Sequence, residues 1–361
     1  MLASKQAIVA LVGGHRGSLA LVGAAVAAAG AVAGLAALGV VPAGLAGAIP
    51  SRAAARASRD APAALAPGTA EVAYAGSLLK LNEGTVGPAF TKATGIPYQG
   101  QGAGALGLAQ EIRSGEITPN VFESIGAGPI AVDEPRFTDW YLSVAASPIV
   151  VAYNPRSRFA PELRAIARHD RPIGDLFRLM EQKGFLLGRT NPATDPQGQA
   201  FALMVHLAAA TYHLGPGAAA RILGPLTTSS EIFSETALEP RLQAGQLDAA
   251  SAFLSQAVQL HLAYVALPAT IDFGYPKLAT TYARAHATLP GVGRVHGVPL
   301  VVDLTTIGTT DPQAAAQFIA FQLNPGIRGA FEQGGYTLLK PTLHGDLAAV
   351  PAVVREAVAS G

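Results

Sequence analysis

From residue 71 onward, short apolar runs alternate with stretches whose apolar residues recur at helical spacing. Glu71 to Ala75 (EVAYA) predicts a strand, and Gly76-Ser77 a turn into a helix over Leu78 to Thr94. Gly95 to Gln99 predicts a second extended segment that runs into the Gly-rich QGQGAGA at 99–105, followed by the helical pattern LGLAQEIRSG. Val121 to Ser124 and Pro148 to Tyr153 (PIVVAY) read as the third and fourth strands. Gly184 to Leu187, Leu247 to Ala252, Tyr264 to Leu267 and Val298 to Thr306 supply further strand candidates. The turn cluster Asn191 to Pro196 precedes a helix over Gln197 to Tyr212, for which Asp195 or Thr194 is the candidate cap. Asp311 and Pro312 are a fitting cap and first-turn pair for a helix reaching Leu323. Successive strand–loop–helix units predict an α/β fold with largely parallel sheets. In such sheets ligands sit beyond the carboxyl ends of strands, where Ser77 and the 100–105 loop fall.

The amino-terminal stretch has a different pattern. Residues 17–51 carry no charge and are preceded by Lys5 and Arg16. This reads as a signal peptide or membrane anchor over 1–51, its length favouring an uncleaved anchor, with a Pro-punctuated linker over 52–70. No repeat at solenoid or propeller period is present.

Composition narrows the function by exclusion. The 25 basic residues nearly balance 24 acidic ones, so no global field recruits nucleic acid. The absence of cysteine removes disulfides, thiolate metal centres and Cys nucleophiles. No HExxH or GxSxG motif occurs, and no nucleophile or acid–base pair can be assigned, so neither catalysis nor a cofactor is expected. His206 and His213 share a helical spacing but read better as helix-face residues than as a metal pair. Asp133, Glu134 and Asp139 read as a solvated acidic loop, and Trp140 and Tyr141 as packing residues. QGQGAGA lacks the Lys-Ser/Thr of a nucleotide loop and fits the dinucleotide fingerprint poorly; it reads either as chance spacing in a Gly-rich chain or as an anion cradle of exposed amides opening a helix.

Several segments, in order, resemble the extracytoplasmic solute-binding proteins of ABC importers, most of all the molybdate/tungstate-binding branch. They are VAYAGSLLKLNEGTVGPAFTKATGI at 72–96, YQGQGAGALGLAQEI at 98–112, PNVFES at 119–124 and PIVVAYNPRSRFA at 148–160. GRTNPATDPQGQAFALMVHLA at 188–208 is the most specific match, and LQAGQLDAASAFLSQAVQLHLAYVALP at 242–268 completes the series. The resemblance implies a two-lobed α/β fold of the type II periplasmic-binding-protein kind. Lobe 1 would comprise 71–147 plus 269–345 and lobe 2 148–268, closing on an oxyanion and docking on a membrane permease outside the cytoplasm. It further implies ligand contacts from Ser77, from the Gly104 and Ala105 amides, from Ser147 at the first crossing and from the Asp195 loop. Two departures stand out. The family's second loop usually ends Gly-Ser, where this chain has Gly104-Ala105. Asp195 matches one of two carboxylates that some archaeal-type members bring to the ligand, whereas the second falls at Ala252, with Ser251 and Ser255 as candidate substitutes. A membrane-anchored sensor on the same scaffold, a site for another anion or small solute (sulfate, phosphate, organic), or, behind these, an enzyme on that scaffold fits the same segments.

Overall fold

The computed structural model describes residues 68–228 and 230–360. The segment read as signal or anchor, and most of the linker, lie outside the described residues. Among the described residues, no helix is long and apolar enough to cross a membrane.

Thirteen strands form two main sheets and a hairpin among the described residues. The first sheet contains β1 (Ala70–Ala75), β2 (Tyr98–Ala103), β3 (Val121–Ile125), β4 (Trp140–Ala146), β12 (Val301–Thr306) and β13 (Thr337–Gly345), in the order β13-β4-β12-β3-β1-β2. The second contains β5 (Ile149–Tyr153), β6 (Leu187–Thr190), β7 (Ile232–Phe233), β8 (Ala249–Phe253) and β9 (Ala263–Val265), in the order β7-β6-β8-β5-β9. Strands β10 (His286–Leu289) and β11 (Gly293–His296) form the hairpin. Helices flank both sheets, giving the two-lobed α/β fold. The central strands β3, β5 and β8 are buried at every position, which is why their sequences read as continuous rather than alternating runs.

Both sheets are mixed, which corrects the expectation of largely parallel ones. β1 pairs parallel with β2 and β3, but β12 runs antiparallel to β3 and β4, and β13 antiparallel to β4. The reason is the route of the chain. β4 ends at the seam and hands the chain to the second sheet through Ser147 and Pro148. A strand that returns from there starts at the seam, so it must run opposite to strands that end there. In the second sheet β5 starts at the seam and is antiparallel to β8 and β9.

The Gly-rich segment also needs correction, because most of it is strand β2 and only Gly104 is left to connect to the helix Ala105–Ser114. Its glycines serve side chains crossing over it. A Cβ on Gly100 would lie 2.2 Å from Glu83 Oε1, and one on Gly102 would lie 2.5 Å from Tyr74 Cε2. Glu83 is held there by the hydroxyls of Tyr74 (2.7 Å) and Tyr98 (2.8 Å).

Smaller expectations change too. β4 and β13 complete the first sheet, and the helix Ala352–Ser360 packs on the helix Pro312–Phe321 with Val354 buried. Asp311 makes no cap bond to its own helix; its Oδ2 accepts from the Thr69 amide at 3.0 Å and ties down the start of β1. The helix Pro196–Thr211 ends before His213, which has φ 50°, so His206 and His213 do not share a helix face. Asp133 is fully buried with both carboxyl oxygens unpartnered, not solvated. Burial pushes its carboxyl up to about 7, against the opposing pull of Arg113.

Candidate functional site

Strand β1 ends in the tight turn Gly76–Leu78, and the backbone stays helical from there to Thr94. Ser77 therefore sits where a strand's carboxyl end meets a helical start. It is 3% exposed, and its Oγ has no partner other than the carboxyl of Glu235. The Tyr336 hydroxyl donates to the Ser77 carbonyl at 3.3 Å. Burial raises the Tyr336 hydroxyl well above its ordinary value, with Ser255 and Gln259 opposing the rise.

The opposite wall comes from the second lobe. Glu235 opens the helix Glu235–Gln243 directly after β7, and Glu239 follows one turn later on the same face. Both are buried. The Glu235 carboxylate packs against Gly76 so closely that a Cβ there would stand 2.5 Å from Oε2. Gln256 Nε2 donates to Glu235 Oε1 at 3.2 Å and to Glu239 Oε1 at 2.8 Å. Gln256 Oε1 accepts from the Phe253 amide and from Gln197 Nε2, and Ser251 Oγ donates to Gln197 Oε1 at 2.8 Å. Two glutamines thus relay a chain of neutral donors from β8 to the two carboxyls.

Electrostatics follow from burial without a counter-ion. Desolvation raises Glu235 well above the usual carboxylate range, the charges of Asp195 and Glu239 raise it further, and the hydroxyl and amide of Ser77 partly oppose this. Burial pushes Glu239 up to about 8 and Asp195 up to about 6, the latter against the Gln197 amide bond. A cavity of about 210 Å³ opens over Ser77, Glu235, Glu239 and Gln256, with the exposed Lys80 as its one basic lining residue.

The remaining sequence candidates lie along the same seam. Asp195 caps the helix Pro196–Thr211, accepting from the Gln197 amide at 2.8 Å. Gly104 precedes the helix Ala105–Ser114 and faces Thr194 and Asp195; a Cβ on it would lie 2.5 Å from the Thr194 carbonyl oxygen. The Gly107 amide donates to that same oxygen at 3.0 Å, so the opening turn of this helix is partly satisfied across the seam by a protein carbonyl. Ala105 is fully buried. Ser147 Oγ lies 3.0 Å from Ser255 Oγ and accepts from the Ser255 amide at 3.0 Å. Ser251 and Ser255 are therefore committed to internal partners, and Ala252 is buried in β8 opposite Val150.

Ser77, Gly104 and Asp195 thus line one seam, whereas Ser147 is buried and bonded to Ser255 between β4 and β5. Glu235, Glu239, Gln197 and Gln256 were not among the sequence candidates. Their signal was faint: two glutamates one turn apart in SETALEPRLQ look like an ordinary solvated helix face. Among the described residues, no group of three or more His, Asp or Glu is disposed to hold a metal ion.

Comparison with known proteins agrees with this architecture. A Haloferax volcanii protein, named provisionally as an ABC transporter molybdenum-binding protein, is 30% identical over 250 residues, covering 69% of this chain and 76% of that one. An uncharacterised solute-binding protein of Petrotoga mobilis is 26% identical over 249 residues, covering 66% of this chain and 74% of that one. The periplasmic molybdate-binding protein of Azotobacter vinelandii superposes with a TM-score of 0.51 at 15% identity, covering 74% of this chain and 98% of that one, a likeness of fold. Residues 70–337 match the description of a bacterial extracellular solute-binding protein, and the chain belongs to that family.

Proposed function

We propose that the protein captures an oxyanion of the molybdate or tungstate type between its two lobes and delivers it to an ABC permease at the outer face of the membrane. The carrying observation is the Ser77 hydroxyl, buried in the seam beside its own amide, with no partner other than the Glu235 carboxyl. An oxyanion is a stronger acceptor for this hydroxyl than a protonated carboxyl, and hydroxyl and amide donors suit an anion held without a basic counter-charge. The Haloferax volcanii relative supports the same ligand class. In this reading the lobes are 71–147 plus 269–345 and 148–268, and they move about crossings at Ser147 and Pro268. Gly104, Ala105 and Asp195 close over the ligand. Ligand binding shifts an open–closed equilibrium, and no bond is made or broken.

The test is a thermal-shift panel of molybdate, tungstate, sulfate, phosphate and organic solutes on the purified protein. Binding to the folded state alone adds about 2.7 kcal/mol at a hundredfold excess over Kd. A shift with molybdate or tungstate alone supports the reading, a shift with sulfate or phosphate replaces the ligand, and no shift with any anion rejects it. One observation favours a second reading. Three buried carboxyls beside Ser77 suit a solute rich in hydrogen-bond donors, such as a polyol or an amine, and the organic arm of the panel tests it.

A further inference from the structure

We infer that Glu235 is a specificity-determining residue of the seam site, presenting a protonated carboxyl to the bound anion, so that capture of the anion is coupled to a proton. This rests on the oxyanion reading of the same site.

The Glu235 carboxyl already stands where an anion at Ser77 would have to go. Its Oε2 lies against Gly76, its neighbours are the hydroxyl and amide of Ser77, and its Oε1 accepts from Gln256 Nε2. A second feature points to a ligand at the same spot, namely the almost fully buried Ser77 Oγ, which has no partner other than the Glu235 carboxyl. An oxyanion that takes the Ser77 hydroxyl therefore comes to rest beside the Glu235 oxygens.

The charged and titratable groups around Glu235 offer no relief. From the loop before the Pro196–Thr211 helix comes Asp195, and from its own helix comes Glu239. From the segment before β13 comes the Tyr336 hydroxyl, and from the helical run after Ser77 comes Lys80, which is exposed at the cavity rim. The other polar side chains facing it, those of Ser77, Gln256 and Gln259, are neutral. Two like charges in contact, buried and without a counter-ion, are strongly disfavoured. A carboxylic acid in the same place donates its O–H to an anion oxygen. The balance is simple. When Glu235 enters ionised, one proton moves from a buffer acid to a Glu235 oxygen, the anion enters unchanged, and release returns the proton. Burial and the neighbouring carboxylates, which already hold Glu235 well above the usual carboxylate range, favour that acid form.

The experiment is isothermal titration of the whole protein with molybdate from pH 6 to pH 10, run in two buffers of unlike ionisation enthalpy. At the alkaline end the buffer dependence of the heat should report uptake of about one proton, and the affinity should fall about tenfold per pH unit. Glu235→Gln, a neutral donor of the same shape, should lose about one proton of that dependence and bind molybdate at least tenfold tighter than the wild type at pH 10. Glu235→Ala, which has no donor, should bind at least tenfold more weakly than Glu235→Gln at pH 7. Wild-type binding with no proton uptake anywhere in the range overturns the inference, as does an equal pH slope in the wild type and Glu235→Gln. The wild-type buffer comparison stands without any variant. Binding that is tight but proton-independent rejects the Glu235 assignment alone, whereas no binding of molybdate at any pH rejects the oxyanion reading with it.

Discussion

Gly104→Ala isolates closure of the seam from the fold of either lobe. The added Cβ would stand 2.5 Å from the Thr194 carbonyl oxygen and 3.2 Å from Asp195 Cβ. Ordinary contact begins at 3.4 Å, so the Asp195 loop must retreat by about 0.9 Å. The obstacle is backbone, which cannot rotate away as a side-chain tip does. That retreat stretches the bond from the Gly107 amide to the same oxygen, now 3.0 Å, beyond a useful length. Overpacking costs about 1–3 kcal/mol and the lost bond about 1 kcal/mol. The closed form is thus disfavoured by about 2–4 kcal/mol, a loss of molybdate affinity of roughly 30- to 1,000-fold. Gly107→Ala is the matched control, because its Cβ would meet Thr194 at 3.7 and 3.8 Å, ordinary contact. That change keeps the amide and gains about 0.5–1 kcal/mol of helix stability. Calorimetric titration of both variants, with small-angle scattering for lobe separation, makes the comparison. Equal affinity and equal radius of gyration in Gly104→Ala and the wild type would refute the claim that this seam closes on the ligand.

Ser77→Ala should change the melting temperature little, since the hydroxyl has no partner other than the Glu235 carboxyl, yet weaken molybdate binding by about 1–2 kcal/mol in a titration; an unchanged Kd rejects Ser77 as a contact. Arg189 is fully buried and donates to the carbonyls of Leu223, Pro225 and Leu226, so Arg189→Met should cost about 3–5 kcal/mol in urea denaturation by stranding those carbonyls; a loss below 1 kcal/mol would contradict this. Burial raises the carboxyls of Glu123 and Asp303 to about 7 and that of Glu239 to about 8, so the folded chain holds these protons more tightly than the unfolded one. Their contribution to stability is full below about pH 4 and is lost as pH rises through 7 to 8. Scanning calorimetry should find a higher melting temperature at pH 5 than at pH 8, and the reverse order would show that these carboxyls are not buried as described.

The parts of the fold legible in the sequence were those with strong local period or strong punctuation. β1, β3, β5 and β8 announce themselves as apolar runs because both faces are buried, and the Asp195-Pro196 pair fixes a helix start by its own side chain. Strand direction was not legible, since it depends on which lobe the chain returns from. β4 was missed because WYLSVAA sets only Trp140, Leu142 and later residues inward, while Tyr141 stacks on His344 at 4.6 Å from a distant strand. The glycines of β2 looked like a loop because their need lies elsewhere in the chain, in the rings and carboxylate of Tyr74, Tyr98 and Glu83. At the site, Ser77 was legible from the strand–turn–helix pattern. Glu235 was not, because a buried glutamate and a solvated one share the same local sequence, and only the approach of the other lobe distinguishes them.

The position of β12 carries a consequence for how the molecule comes into being. This strand lies between β3 and β4, yet it is synthesised only after the whole second sheet. Thr138 and Thr305, whose hydroxyls meet across that junction, are 167 residues apart in the chain. The second lobe is built from one unbroken stretch and can complete its sheet by itself. The first lobe is left with a missing central strand, and its β3 and β4 edges stay unsatisfied until residues near 306 have emerged. Such a high-separation contact slows folding, and here it delays it until most of the polypeptide exists. A truncation just before Val301 should leave the second lobe protected against proteolysis and the first lobe open to it.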